Sequence, residues 1–140
     1  MSTRTDDTVR AEVRAFLGEA WDPSLTVGEW WGRLADSGWA VPTWPREWLG
    51  RDLPRGLAPV VAAELRDAGA IGPPAGLGML LAGPTILAHG TDEQRGRYLR
   101  PIVTGEVSWC QLFSEPGAGS DLASVQTRAE RDGDEWIVNG

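Results

Sequence analysis

Apolar residues recur at helical spacing through most of the chain, then give way to strand-like alternation near its end. Between residues 6 and 20, Val9, Val13, Phe16, Leu17 and Ala20 fall on one face of a helix. Thr5 or Asp6 can cap this helix, and Asp22-Pro23 ends it. Thr26-Val27-Gly28-Glu29 fits a capping box, in which Thr and Glu satisfy each other's orphan backbone N–H groups. The helix it opens is expected to turn Val27, Trp30, Trp31 and Leu34 inward and to stop at Gly38. A third helix is expected over 57–68, with Val60, Val61, Glu64, Leu65 and Ala68 on its inner side and Gly69 closing it. A fourth occupies part of 76–89 and closes at Gly90. Thr91-Asp92-Glu93-Gln94 is a second capping box, opening a fifth helix through Tyr98, Leu99, Ile102 and Val103 that closes at Gly105.

The stretch "WAVPTWPREWLGRDL" separates the second helix from the third. Three tryptophans and two prolines do not make a long helix, so it reads as an irregular connection with one helical turn after Pro45. Tryptophan has the most apolar surface to hide, so the connection should press onto the core. The period changes at Glu106. The run "EVSWCQLFS" over 106–114 is rich in β-formers and predicts a strand. Two more are predicted around the turn signal Arg131-Asp132-Gly133-Asp134. The expected fold is mainly α: an up-and-down-type helical bundle over 1–106, then the first strands of a truncated β domain over 107–140. Two or three strands make a poor sheet alone, so the chain reads as cut inside its second domain.

Composition narrows the function. The 140 residues, 41% hydrophobic, suffice for one domain with a core. The net charge is -7 and the 13 basic residues are all scattered arginines, which argues against nucleic acid as a partner. One cysteine, Cys110, excludes an internal disulfide and a cysteine-based zinc site, and no metal site is expected. The opening "MSTRTDDTVR" shows no apolar core of a secretory signal. Residues 68–88 carry no Asp, Glu or Arg, but Pro73, Pro74 and Pro84 argue against a membrane-spanning helix. A buried helix–loop–helix and a cytoplasmic protein are expected instead.

The candidate chemistry lies in "SEPGAGSD", residues 114–121. As structure alone, it is a strand end and a Pro-Gly turn, with Ser120 or Asp121 capping a short helical turn at 122–124. As a binding site, its bare glycines let an anion reach backbone N–H groups and the Ser120 hydroxyl. Spacing leaves both readings open. His89, the single histidine, reads as a helix-end residue bonding the last carbonyls. Cys110 reads as a small buried hydrophobe, and the tryptophans read as core.

The longer stretch "QLFSEPGAGSDLASVQTRAERDGDEWIVNG" resembles the acyl-CoA dehydrogenase family. The match runs through Ser114, Glu115, Pro116, Gly117, Ala118, Gly119, Ser120, Asp121, Thr127, Gly133, Asp134, Trp136, Asn139 and Gly140. The upstream "AHGTDEQRGRYLRPIVTGE" is similar to the family's last helix before its β domain. The resemblance implies an N-terminal helical domain, a middle β domain and a C-terminal helical domain, of which this chain matches the first and the opening of the second. It implies FAD as cofactor, with Gln111, Phe113 and Ser114 lining the flavin and Gly119 and Ser120 meeting its pyrophosphate. Ser120 would also reach the acyl-CoA substrate. The implied reaction removes an α proton and passes the β hydride to the flavin, leaving a 2,3-enoyl-CoA. The resemblance places the base, usually a carboxylate, in the C-terminal domain, so no catalytic residue is assigned here. An electron-transfer flavoprotein or similar acceptor, and a homo- or hetero-oligomer, are implied as partners. Ser114 stands where the family more often has Thr, and Gln111 where an aromatic or another residue is often found, which leaves the acyl specificity open. An acyl-CoA oxidase or flavin monooxygenase on the same fold, and a non-catalytic helical interaction module, are the alternatives.

Overall fold

Helix α1, Asp6–Ala20, begins where Thr5 accepts a hydrogen bond from the Thr8 amide. Asp6 and Asp7 sit at the positive end of its dipole, and Val9, Val13 and Leu17 are buried. The computed structural model describes residues 5–140; the first four residues of the opening segment lie outside the described residues. Helix α2, Val27–Ser37, has its capping box formed: the Thr26 hydroxyl accepts from the Glu29 amide at 3.3 Å, and the Glu29 carboxylate accepts from the Thr26 amide at 2.9 Å. Gly38 ends it at φ 79°, a left-handed turn that glycine makes without strain. Trp30, Leu34 and Ala35 are buried. Val27, the first residue of the helix, is 42% exposed, against expectation.

The connection 39–53 is irregular and packed, with one 3₁₀ turn at Arg46–Trp48. Trp39, Ala40, Val41, Trp44 and Leu53 are buried in it. The backbone folds back on itself: the Leu53 amide donates to the Pro42 carbonyl at 2.9 Å, and the Asp52 amide to that of Trp44 at 2.9 Å. A Cβ on Gly50 would lie 1.9 Å from the Trp44 carbonyl oxygen, so no other residue fits there.

Helix α3, Ala58–Asp67, follows a 3₁₀ turn at Arg55–Leu57 and packs against α1. Val60, Val61, Glu64 and Leu65 face inward as expected, while Ala68 lies past the helix and is exposed. After an extended passage comes a π-helical turn, Gly78–Ala82, which runs into α4, Gly83–His89. Pro84 brings no N–H to this junction, and the Gly83 amide bonds back to Gly78 across the wider turn. The 68–88 stretch is not the buried unit expected: Ile71, Leu80 and Leu81 are exposed and only Gly83 is buried. No helix among the described residues is long and apolar enough to cross a membrane. The second capping box opens α5, Asp92–Val103, whose Leu99, Ile102 and Val103 are buried. Helix α5 packs against α4 and α2. Glycines make sockets for tryptophan rings here. A Cβ on Gly105 would meet Trp31 at 2.6 Å, and one on Gly83 would meet Trp44 at 2.9 Å.

The chain divides into two compact units, Met1–Trp109 and Cys110–Gly140. The second contains an antiparallel hairpin, β1 (Arg128–Asp132) and β2 (Glu135–Asn139), in register from Arg128 opposite Asn139 to Asp132 opposite Glu135. Gly133 takes φ 60° as the first residue of the two-residue turn, the position that a type II′ turn gives to glycine. The strand expected over 106–114 is not formed, because no segment among the described residues supplies the ladder that would define it. Cys110, expected buried, is therefore exposed.

Candidate functional site

Within the second unit, the "SEPGAGSD" turn closes on itself. The Glu115 amide donates to the Ala118 carbonyl at 3.1 Å, and the Ala118 amide donates back at 3.0 Å. Ala118 is buried, while Gly117, Gly119 and Ser120 are exposed. Neither Gly117 nor Gly119 takes a left-handed φ, and a Cβ built on either meets nothing within 4 Å. The backbone would tolerate side chains at both, so their bareness serves no contact inside this chain. The short helical turn forms at Leu122–Ser124, but no side chain caps it; the Ser124 hydroxyl bonds instead to the Asp121 carbonyl at 2.8 Å. The capping role considered for Ser120 or Asp121 is not formed.

Gln111, Phe113 and Ser114 lie on the extended stretch before the turn, all exposed, Phe113 at 60%. Among the described residues the Ser114 and Ser120 hydroxyls make no hydrogen bond, so both are free to donate. His89 is exposed, and the Gly90 amide, not its imidazole, reaches back to the Ile86 carbonyl at 2.8 Å. No group of three or more His, Cys, Asp or Glu among the described residues could hold a metal ion.

The residue that spacing overlooked is Glu115. Its carboxylate accepts from the Thr127 amide at 2.7 Å, from the Gln126 amide at 3.0 Å and from the Thr127 hydroxyl. The Thr127 hydroxyl, followed by the Gln126 and Thr127 amides, holds the Glu115 carboxyl below the usual carboxylate range. Its partners lie 11 and 12 residues away, beyond any local turn pattern.

The family model for the acyl-CoA dehydrogenase N-terminal domain matches residues 3–106. The chain belongs to the acyl-CoA dehydrogenase family. Among this family's curated members, IpdE1 of Mycobacterium tuberculosis is 45% identical over 111 residues, covering 79% of this chain and 29% of that protein. FadE26 of Mycobacterium tuberculosis is 39% identical over 153 residues, covering 99% of this chain and 38% of that protein. The crystal structure of the ChsE4-ChsE5 complex from Mycobacterium tuberculosis superposes with a TM-score of 0.63 at 33% identity, covering 100% of this chain and 38% of that one. This acyl-CoA dehydrogenase chain thus spans less than two fifths of each of these relatives.

Proposed function

We propose that the chain forms the N-terminal part of a flavin-dependent acyl-CoA dehydrogenase, with "SEPGAGSD" as its flavin-facing turn. The observation that carries this is the open Cβ space at Gly117 and Gly119 without any backbone need for glycine. Such a turn lets an anion approach the main chain, and the residues present fit a pyrophosphate there. When bound, FAD supplies the hydride-accepting chemistry. Gln111, Phe113 and Ser114 line the flavin in this reading, with the Ser114 hydroxyl as a free donor. Gly119 and Ser120 hold the pyrophosphate, and Ser120 also orients the acyl-CoA. The α,β-dehydrogenation needs a base, which the family resemblance places in a domain outside the part of the relatives that this chain spans. An electron-transfer flavoprotein or similar acceptor, assembly with an identical or related subunit, and a cytoplasmic location complete the proposal.

By this reading residues 1–140 alone bind FAD too weakly to hold it through desalting, and they do not turn over an acyl-CoA. The flavin would be touched on one side only, whereas cofactor sites enclose most of their ligand. The α proton would lack a positioned base. The test is to express these residues, add FAD, desalt, and record the flavin absorption band and acyl-CoA-dependent dye reduction. A colourless, inactive protein is expected. A yellow protein that reduces dye would place the whole catalytic apparatus within this chain and overturn the assignment of the base elsewhere.

A further inference from the structure

The Glu115 carboxylate gathers two backbone amides and a hydroxyl from residues 126 and 127, at the entrance to β1. Its own backbone closes the bridge to Ala118. One side chain therefore ties the start of the Glu115–Ala118 bridge to the two residues just before the hairpin's first strand and closes a loop over 115–127. The bare residues Gly117, Gly119 and Ser120 all lie within that loop, and the Ser124 hydroxyl faces the Gly117 carbonyl across it at 3.4 Å. We infer that Glu115 is the positioning residue of the turn: it fixes the 117–120 backbone before a ligand arrives, so that its N–H groups converge on an anionic group. This rests on the flavin reading of the turn and adds how the turn is held.

The physical grounds are two. Hydrogen bonds to an ionised acceptor are roughly twice as strong as neutral ones, and one carboxylate here collects three donors. Closing the loop in advance removes ordering cost from the binding step, which is how preorganisation raises affinity. The groups facing the carboxylate are the Gln126 and Thr127 amides and the Thr127 hydroxyl; among the described residues no charged side chain forms an ion pair with it. Protonation turns an acceptor oxygen into a donor facing other donors, so the clasp loosens in acid.

The test follows backbone amide resonances of the 140-residue chain during an acid titration and, separately, during titration with FAD as probe. The Gln126 and Thr127 amides are expected to report one carboxyl titrating below the ordinary glutamate range, and Glu115→Gln should abolish that step. FAD at high concentration should shift the Gly119 and Ser120 amides in the wild type, with affinity falling about tenfold in Glu115→Gln, the loss of one charge-assisted hydrogen bond. Thr127→Val should weaken FAD in the same way, and Thr127→Ser, which keeps the hydroxyl, should restore it. If the Gln126 and Thr127 amides ignore the titration, or if FAD perturbs Gly119 and Ser120 equally in wild type and Glu115→Gln, Glu115 does not position the turn. Absence of any FAD-induced shift in the wild type would overturn the flavin reading itself, and the proposal with it.

Discussion

Gly105 and Gly18 show how one residue type serves opposite purposes in this chain. Gly105 sits at φ 71°, and a Cβ there would meet the Trp31 ring at 2.6 Å. Gly105→Ala combines left-handed strain with overpacking, so it should lower unfolding free energy by about 2 kcal/mol. Gly18 is an exposed interior residue of α1 with nothing within 4 Å of its Cβ. Gly18→Ala should raise stability by about 0.5–1 kcal/mol, by helix propensity. Denaturant unfolding of the two variants checks both signs, and a destabilised Gly18→Ala would contradict this description of α1. Gly119 resembles Gly18 in its open Cβ space, yet lies in a turn and not in a helix. Its substitution should therefore leave stability unchanged and act on ligand binding.

At the scale of elements, α1 is tied to α3 through Glu64. This carboxylate is 3% exposed and accepts from Arg10 at 2.7 Å and from Arg14 at 2.6 and 3.2 Å. The Arg14 and then the Arg10 hydrogen bonds hold its pKa below the ordinary value. A carboxyl depressed in the folded state stabilises it fully above the unfolded-state pKa, and that contribution is lost as pH falls through the folded-state value. Glu64→Gln should therefore destabilise the helical unit at neutral pH and flatten the acid limb of its stability profile. An unchanged acid limb would mean that the ion pairs do not set it. Helix α2 depends on its capping box in the same local way, and Thr26→Ala should cost about 1 kcal/mol.

The helices were legible because their signals are local. Both capping boxes, the Gly38 stop and the 3.6-residue spacing of Val9, Val13 and Leu17 each act within a few residues. Glu64 stood on the inner face by spacing, but its partners lie 50 and 54 residues away, so its reason for burial was not readable. The 106–114 strand failed for a related reason: β-propensity describes a residue's fit to a sheet, and no neighbouring strand among the described residues makes one. At the turn, the glycines and hydroxyls were visible as residue types. The clasp from Glu115 to Thr127 was not, since nothing local marks a carboxylate that bonds 12 residues ahead.

For the molecule as a whole, the helical unit has its own core, running from Val9 through Trp30, Trp39 and Leu65 to Val103. The second unit exposes Trp136, Ile137 and Val138 on β2, an apolar run on an edge strand of a two-stranded sheet. Unprotected edges of this kind promote association. The isolated chain should thus self-associate with rising concentration, and Ile137→Lys should suppress this in sedimentation measurements without changing the melting of the helices. The central claim, that this chain supplies the flavin-facing turn of an acyl-CoA dehydrogenase, is tested most directly in a chimera. Residues 1–140 would replace the matching segment of FadE26, which aligns with 99% of this chain. Bound FAD per protein is then measured after desalting, with and without Gly119→Val. The account predicts a flavin-loaded chimera that loses most of its FAD on Gly119→Val while its melting temperature without FAD is unchanged. Equal flavin occupancy in the two proteins would contradict it.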